Sequence, residues 1–159
     1  MSRAVILFFL FAGSQAVSQV LLKPDRVFDG NEMHTGWSVL VVDDQVQEAG
    51  PDAGKGIKLE RTILLRGKTL IPGMIEGHSH MLLYPYDQRS WNDQVLKESE
   101  AERVARATIH ARNTLLAGFT VSRDLGSEGA GYADVGLRDA IDKGIIVGPK
   151  LLVAGPALV

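Results

Sequence analysis

The sequence contains no cysteine, and this absence excludes several kinds of site. Without thiols the chain has no structural disulfide, no lipoprotein anchor and no thiolate metal site. Cysteine absence alone does not decide the compartment of the protein.

The sequence also lacks an excess of positive charge and a long hydrophobic run. The formal net charge is only −2, and no basic patch of the kind that binds nucleic acid is present. The apolar run Ala4–Ala12 is shorter than the roughly 20 residues that a membrane span needs. With 45% apolar and 23% charged residues, the composition is that of a soluble globular protein.

The first residues have the layout of a targeting segment. Arg3 supplies a positive charge, Ala4–Ala12 a hydrophobic core, and Ser14-Gln15-Ala16 small residues suited to a signal peptidase. We therefore predict a signal peptide over residues 1–18 and an exported protein, periplasmic or secreted. The alternative is a buried N-terminal strand or short helix.

Residues 19–71 have the pattern of short antiparallel strands and turns. Trp37–Val42 and the run from Val46 are separated by Asp43-Asp44, which predicts a hairpin. His34 falls in a polar turn and is expected to be solvent-exposed rather than a metal ligand. The other predicted strands are Val20–Leu22, Val27-Phe28 and Ile63–Leu65.

The candidate metal-binding residues lie at the end of Met74–His80, which is predicted to be a buried strand. Side chains alternate between the faces of a strand, so His78 and His80 project to the same side and can reach one metal ion. Neutral imidazole suits zinc and similar ions. A His-x-His pair also occurs by chance, and a catalytic zinc site needs at least three protein ligands.

The segment after His80 is predicted to be a loop above the strand ends. Tyr84, Tyr86 and Trp91 in this loop are expected either to form a wall of a substrate pocket or to pack on the rim of the fold. We assign Tyr84 to substrate binding as a prediction.

A helix is predicted to follow, beginning at a capping box and ending at Gly118. Ser99 and Glu102 have the spacing at which they satisfy each other's backbone N–H groups. The inward stripe is predicted to hold Ala101, Val104, Ala105, Thr108 and Leu115, with Arg103, Arg106 and Arg112 elsewhere on the helix.

The remaining chain continues the strand–helix alternation. Phe119–Ser122 and Leu151–Ala154 are predicted strands, with a helix over Tyr132–Lys143 between them, and this order implies parallel pairing. Arg123, at the end of the second strand, is expected to contact substrate or to form a salt bridge that fixes the loop. The glycines of Gly126–Gly131 lack the spacing of a nucleotide-binding motif.

The run Leu70–His80 closely resembles the first barrel strand of the amidohydrolase superfamily. Further phrases make residues 20–159 similar to the N-terminal portion of imidazolonepropionase-like amidohydrolases, nearest to the metal-dependent Xaa-Pro dipeptidase (prolidase) branch. They are Val27–Gly30, Ser90–Leu96, Ala117–Thr120 with Arg123-Asp124, and Gly148–Lys150.

The resemblance implies an α/β protein with a TIM (β/α)₈ barrel preceded by a β-sandwich segment. Residues 19–71 would belong to the sandwich and residues 72–159 to the first strands and helices of the barrel. His78 and His80 would bind one or two divalent metal ions, with zinc favoured. In the family, metal-activated water attacks an amide carbonyl, and a carboxylated lysine, two more histidines and a proton-shuttling aspartate complete the site.

These later residues have no match in the sequence, so the barrel is expected to be incomplete and this portion alone inactive. Three parallel strands would leave an open edge and an exposed apolar face. The expected substrate is a dipeptide or a small cyclic amide; an oligomer is left open. The alternatives are a non-catalytic remnant that binds metal weakly and a half-barrel that needs a partner chain.

Overall fold

The computed structural model describes residues Ser18–Ala157, so the predicted signal peptide lies, except for Ser18, outside the described residues. The chain divides into two compact units, one ending at Pro72 and the other beginning at Gly73. No helix among the described residues is both long enough and apolar enough to cross a membrane.

The first unit is a five-stranded mixed sheet. Its strands are β1 (Gln19–Phe28), β2 (Met33–Thr35), β3 (Ser38–Val42), β4 (Gln45–Gly50) and β5 (Arg61–Leu70). One side of β1 pairs with β3 and, further along, with β2, both antiparallel, while β5 pairs with the other side in parallel. A single sheet is seen in this part of the chain, so the β-sandwich stays a prediction.

Two features of this sheet correct the sequence-based expectation. β1 is one strand through Pro24 rather than two, because a register shift between Pro24 and Arg26 accommodates the missing N–H. β5 pairs with β1 in parallel, whereas the sequence predicted only antiparallel strands in this unit. The connection at residues 51–60 returns the chain, so that β5 runs in the same direction as β1. The predicted hairpin is confirmed, with Asp43 at φ 54° in its turn.

The second unit is a three-stranded parallel sheet with helices. It consists of β6 (Met74–Ser79), α1 (Trp91–Leu96), α2 (Glu100–Leu116), β7 (Phe119–Asp124), α3 (Ala133–Asp142) and β8 (Lys150–Val153). The sheet order is β6-β7-β8, so the predicted parallel alternation is confirmed. Barrel closure is not seen among the described residues and remains a prediction.

The ends of α2 follow the predicted signals, except that the second bond of the capping box, from the Ser99 N–H to the Glu102 side chain, is not seen among the described residues. Ser99 Oγ accepts the backbone N–H of Glu102 at 3.2 Å, and Gly118, at φ 100°, ends the helix. The six-residue helix α1 was not predicted. Ser90 starts it by accepting the backbone N–H of Asp93, a short N-cap signal inside a polar segment.

The core of the second unit lies between the sheet and the two longer helices. Its buried side chains are Met81, Leu82, Ala107, Ala130, Ala133, Leu137 and Leu151. The predicted stripe of α2 is wrong in part, because Arg103 and Arg106 are buried while Ala101 and Ala105 are exposed. These arginines are buried because backbone carbonyls and a carboxylate receive their N–H groups.

β6 also differs from the buried strand that was predicted. It lies at an edge of the sheet with β7 as its neighbour, and Ile75 is 71% exposed. Leu152 of β8 is 50% exposed. This is the open apolar face expected of three parallel strands.

Candidate metal centre

The carboxyl end of β6 is fixed to β7 by side-chain hydrogen bonds. Ser79 Oγ lies 2.8 Å from Ser122 Oγ and donates to the carbonyl of Arg123 at 3.1 Å. These bonds lie where the backbone register between the two strands is irregular, between Glu76 and Ser79. Ser79, the residue between the two histidines, therefore holds in place the strand end at which both histidines lie.

His78 and His80 come together as the alternation of the strand predicts. Their ring centroids are 5.5 Å apart, with the ring planes at 69°. Both line a cavity of about 330 Å³ together with Tyr84 and Tyr86, and both line a second cavity of about 450 Å³ beside α2. The two imidazoles thus face shared open space.

The separation of the two ring centroids is consistent with one shared metal ion. A tetrahedral zinc ion with imidazole nitrogens at about 2.0–2.1 Å would place the two ring centroids on the order of 5 Å apart. The observed 5.5 Å is close to that separation. Within Ser18–Ala157 no group of three or more His, Cys, Asp or Glu side chains is arranged to hold an ion, so the histidine pair is the donor set that this part of the chain offers.

His80 is oriented by acceptors on one of its ring nitrogens. Its Nδ1 lies 3.3 Å from the carbonyl oxygen of Gly126 and 3.5 Å from Oε1 of Glu128. The Gly126 carbonyl can only accept a hydrogen bond, so we assign the proton of His80 to Nδ1 and the lone pair to Nε2; the Glu128 carboxylate lies within ion-pair distance of the same nitrogen. This is the tautomer in which Nε2 can bind a metal.

A buried carboxylate holds the backbone next to this histidine. Asp124 is fully buried; its Oδ2 accepts the N–H of Met81 at 2.9 Å and its Oδ1 that of Gly126 at 3.2 Å. Burial raises the pKa of Asp124, and the two backbone hydrogen bonds oppose that rise. Asp124 therefore joins the end of β6 to the loop after β7.

The other two predicted site residues, Tyr84 and Arg123, differ in their position relative to the histidine pair. Tyr84 lines the smaller cavity with the histidines, and its ring also packs under Arg106, 4.1 Å from guanidinium carbon to ring centroid. Arg123 is exposed, lines neither cavity with the histidines, and its predicted salt bridge is not seen among the described residues. A substrate role for Tyr84 and Arg123 stays a prediction.

Sequence reasoning missed Glu128 and gave Trp91 a different role. The indole N–H of Trp91 donates to Oε2 of Glu128 at 2.9 Å, which joins the segment after β6 to the loop after β7. One feature of the sequence could have indicated a role for Glu128, namely its position in the loop that follows the second predicted strand of this unit, β7. Glu128 is 48 residues from His80 in the sequence, and this separation gives no indication of a contact.

Solved structures of hydrolases share the fold of this chain over most of its length. A Xaa-Pro dipeptidase solved with methionine in its active site matches with a TM-score of 0.75 and 26% identity, over 89% of this chain and 34% of that one. A putative prolidase from Bifidobacterium longum matches with a TM-score of 0.62 and 28% identity, over 88% and 31%. An amidohydrolase matches with a TM-score of 0.67 and 26% identity, over 88% and 32%.

This chain spans about a third of the length of these solved chains. No protein-family model and no curated protein matches its sequence. The match extends over both units, since nearly nine-tenths of the chain is covered.

Proposed function

This chain resembles the N-terminal portion of the amidohydrolase superfamily, and on that premise we propose that it is part of a metal-dependent hydrolase of carbon–nitrogen bonds. The observation that carries the proposal is the pair His78 and His80, with rings 5.5 Å apart at the end of a parallel strand. These two histidines would hold a divalent ion, with zinc favoured, and the chemistry that it would supply there is water activation and polarisation of the substrate carbonyl.

The residues of this chain have defined parts in that proposal. Nε2 of His80 and the ring of His78 would hold the ion, while Ser79 and Asp124 keep the strand end in place. Tyr84 would form one wall of the substrate cavity. A dipeptide such as Xaa-Pro, or a cyclic amide, is the proposed substrate class, supported by the prolidase and dipeptidase matches.

Zn²⁺ titration of the purified chain tests the metal claim. The ring signals of its four histidines are followed by NMR. We expect the His78 and His80 signals to shift together, and the His78→Ala/His80→Ala double variant to lose binding. His34→Gln is the control, because His34 lies in the first unit and pairs with Asp29. Binding that persists in the double variant would contradict the proposal.

Catalysis is tested on the product of the complete reading frame, by sequencing the source transcript past the codon for Val159. A frame that encodes further strands with a lysine, two histidines and an aspartate at strand ends supports the hydrolase. The encoded protein is then assayed on Xaa-Pro dipeptides and cyclic amides, with and without a chelator. Hydrolysis that the chelator leaves unchanged would rule out the metal-dependent mechanism.

A second candidate function is a half-barrel that associates with another chain. The exposed side chains of Ile75 and Leu152 and the free edge of β6 favour it, because such surfaces invite pairing. Sedimentation and co-purification test this candidate. A monomeric chain without a complementary partner would exclude it.

Export is a further proposal and is based on the N-terminal sequence. Mass spectrometry of the protein from its source should find the mature N-terminus close to residue 19. An intact Met1 would exclude cleavage.

A further inference from the structure

Glu128 connects three parts of the second unit. Its Oε1 lies 3.5 Å from Nδ1 of His80, and its Oε2 accepts the indole N–H of Trp91 at 2.9 Å. Its backbone carbonyl accepts a guanidinium N–H of Arg103 at 2.9 Å. The side chain is 28% exposed, so these contacts are partly shielded from water.

We propose that Glu128 is a positioning residue that sets the tautomer and ring orientation of His80 for metal binding, and that Trp91 holds Glu128 in that position. The inference rests on the proposed function, because it concerns the same metal site. It adds a role for two residues that bind no metal themselves.

The first argument concerns the proton on His80. A neutral imidazole has two tautomers, and the acceptor on one nitrogen decides which nitrogen is left to bind an ion. Here two oxygens, from Glu128 and from the carbonyl of Gly126, approach the same Nδ1. The Gly126 carbonyl forms the hydrogen bond, and the charged carboxylate of Glu128, at 3.5 Å, adds an electrostatic preference for a proton on the same nitrogen. Removing the carboxylate leaves only the Gly126 carbonyl, at 3.3 Å, to favour the proton on Nδ1, so the preference for this tautomer weakens.

The second argument concerns the backbone at Glu128. Its φ is 50°, a left-handed conformation that is uncommon for a residue other than glycine. Neighbouring groups must hold such a conformation in place. Arg103 does so, since its guanidinium is buried and donates to the carbonyls of both Ser127 and Glu128 at 2.9 Å. The fold thus keeps a non-glycine side chain at a position that the backbone alone disfavours.

The third argument concerns Trp91. Its indole N–H is a donor only, so it fixes Oε2 of Glu128 and leaves Oε1 for His80. Trp91 begins α1 in the segment after β6, while Glu128 lies in the loop after β7. The hydrogen bond therefore makes the orientation of His80 depend on the conformation of both segments.

The ring ¹⁵N chemical shifts of His80 in the metal-free chain test the proposal directly. We expect wild-type His80 to be predominantly protonated on Nδ1, and Glu128→Ala to shift it toward a mixture of tautomers. Trp91→Phe keeps an aromatic ring and removes the N–H donor, so it should produce a smaller shift in the same direction. Asp142→Asn, the same loss of charge at an exposed position near the end of α3, should have no effect.

Zn²⁺ titration gives the second readout. We expect Glu128→Ala to raise the Kd for Zn²⁺ by about 10- to 100-fold, the usual effect of removing a group that orients a metal ligand. An unchanged His80 spectrum in Glu128→Ala, or a wild-type ring protonated on Nε2, would overturn the inference. Wild-type protein that binds no Zn²⁺ but shows the predicted tautomer change would instead contradict the metal claim of the proposed function and leave the role of Glu128 in orienting His80 intact.

Discussion

Gly73 lies so close to Thr120 that a Cβ at this position would fall 2.1 Å from Thr120 Oγ1 and 2.7 Å from its Cβ. The Cβ of Thr120 is fixed by the backbone, so rotation of the side chain does not relieve the second contact. Next to this point the N–H of Met74 donates to the carbonyl of Gly118 at 2.9 Å. The glycine of the Pro-Gly pair is therefore required by the close approach of β6 to β7.

Gly73→Ala should destabilise the second unit by about 1–3 kcal/mol, the usual cost of forcing extra volume into a packed site. The matched control is Gly77→Ala, because a Cβ at Gly77 meets nothing within 4 Å. Urea unfolding followed by circular dichroism measures both variants. Equal stability of the two variants would contradict this account of Gly73.

Arg103 should be among the most sensitive positions of α2. Its side chain is buried and donates to the carbonyls of Leu82, Ser127 and Glu128. Arg103→Met keeps most of the volume but leaves the carbonyl of Glu128 without its donor, whereas the carbonyls of Leu82 and Ser127 keep Arg106 and Ala130 as donors. A group left unpaired costs about 1–3 kcal/mol. We expect a clear loss of unfolding free energy in chemical denaturation.

Arg112→Met is the control for Arg103, since Arg112 is exposed on the same helix. It should change the unfolding free energy by no more than about 0.5 kcal/mol. Similar losses in both variants would show that helix charge, rather than the buried hydrogen bonds, determines the effect.

Glu98 is the acidic centre of a second buried network. Its side chain is 2% exposed, and its two oxygens lie 2.7 Å from guanidinium nitrogens of Arg89 and Arg106. Glu98→Gln removes the negative charge and leaves the buried Arg106 without its ionic partner, so we expect a loss of about 3–5 kcal/mol. Glu102→Gln, at an exposed position of α2, should cost only a few tenths. Thermal unfolding of both variants measures the difference.

Local sequence signals were sufficient for the elements that depend on neighbouring residues. The Ser99 cap, the end of α2 at Gly118 and the turn at Asp43-Asp44 each follow from a few adjacent side chains. The alternation predicted for Met74–His80 likewise places His78 and His80 at one cavity, although His80 lies one residue past the end of β6. These features need no knowledge of what packs against them.

The parts that were missed depend on distant partners. The hydrophobic pattern of α2 placed its arginines away from the core, whereas Arg103 is buried because loop carbonyls some 20 residues away accept its N–H groups. Glu128 reaches His80 only because β6 and β7 are neighbours in the sheet. Amphipathic periodicity counts a charged residue as exposed and carries no information on such partners.

The stability of the second unit should fall in mild acid because of His110. Its Nδ1 lies 3.0 Å from the carbonyl of Met81, and burial lowers its pKa below the usual 6.5, with Arg106 adding to the decrease and the Met81 bond opposing it. The unfolded chain therefore binds the proton first. The stabilising contribution is complete above about pH 6.5 and is lost as the pH falls through the lower folded-state pKa.

His110→Gln tests this, because the amide N–H can still donate to Met81 and glutamine does not titrate. Unfolding midpoints are compared at pH 7.5 and 5.5 in the presence of a chelator, so that metal binding does not contribute. We expect the wild-type chain to lose more stability between these pH values than the variant does. The same loss in both would assign the acid sensitivity to other groups of the chain and contradict the role of His110.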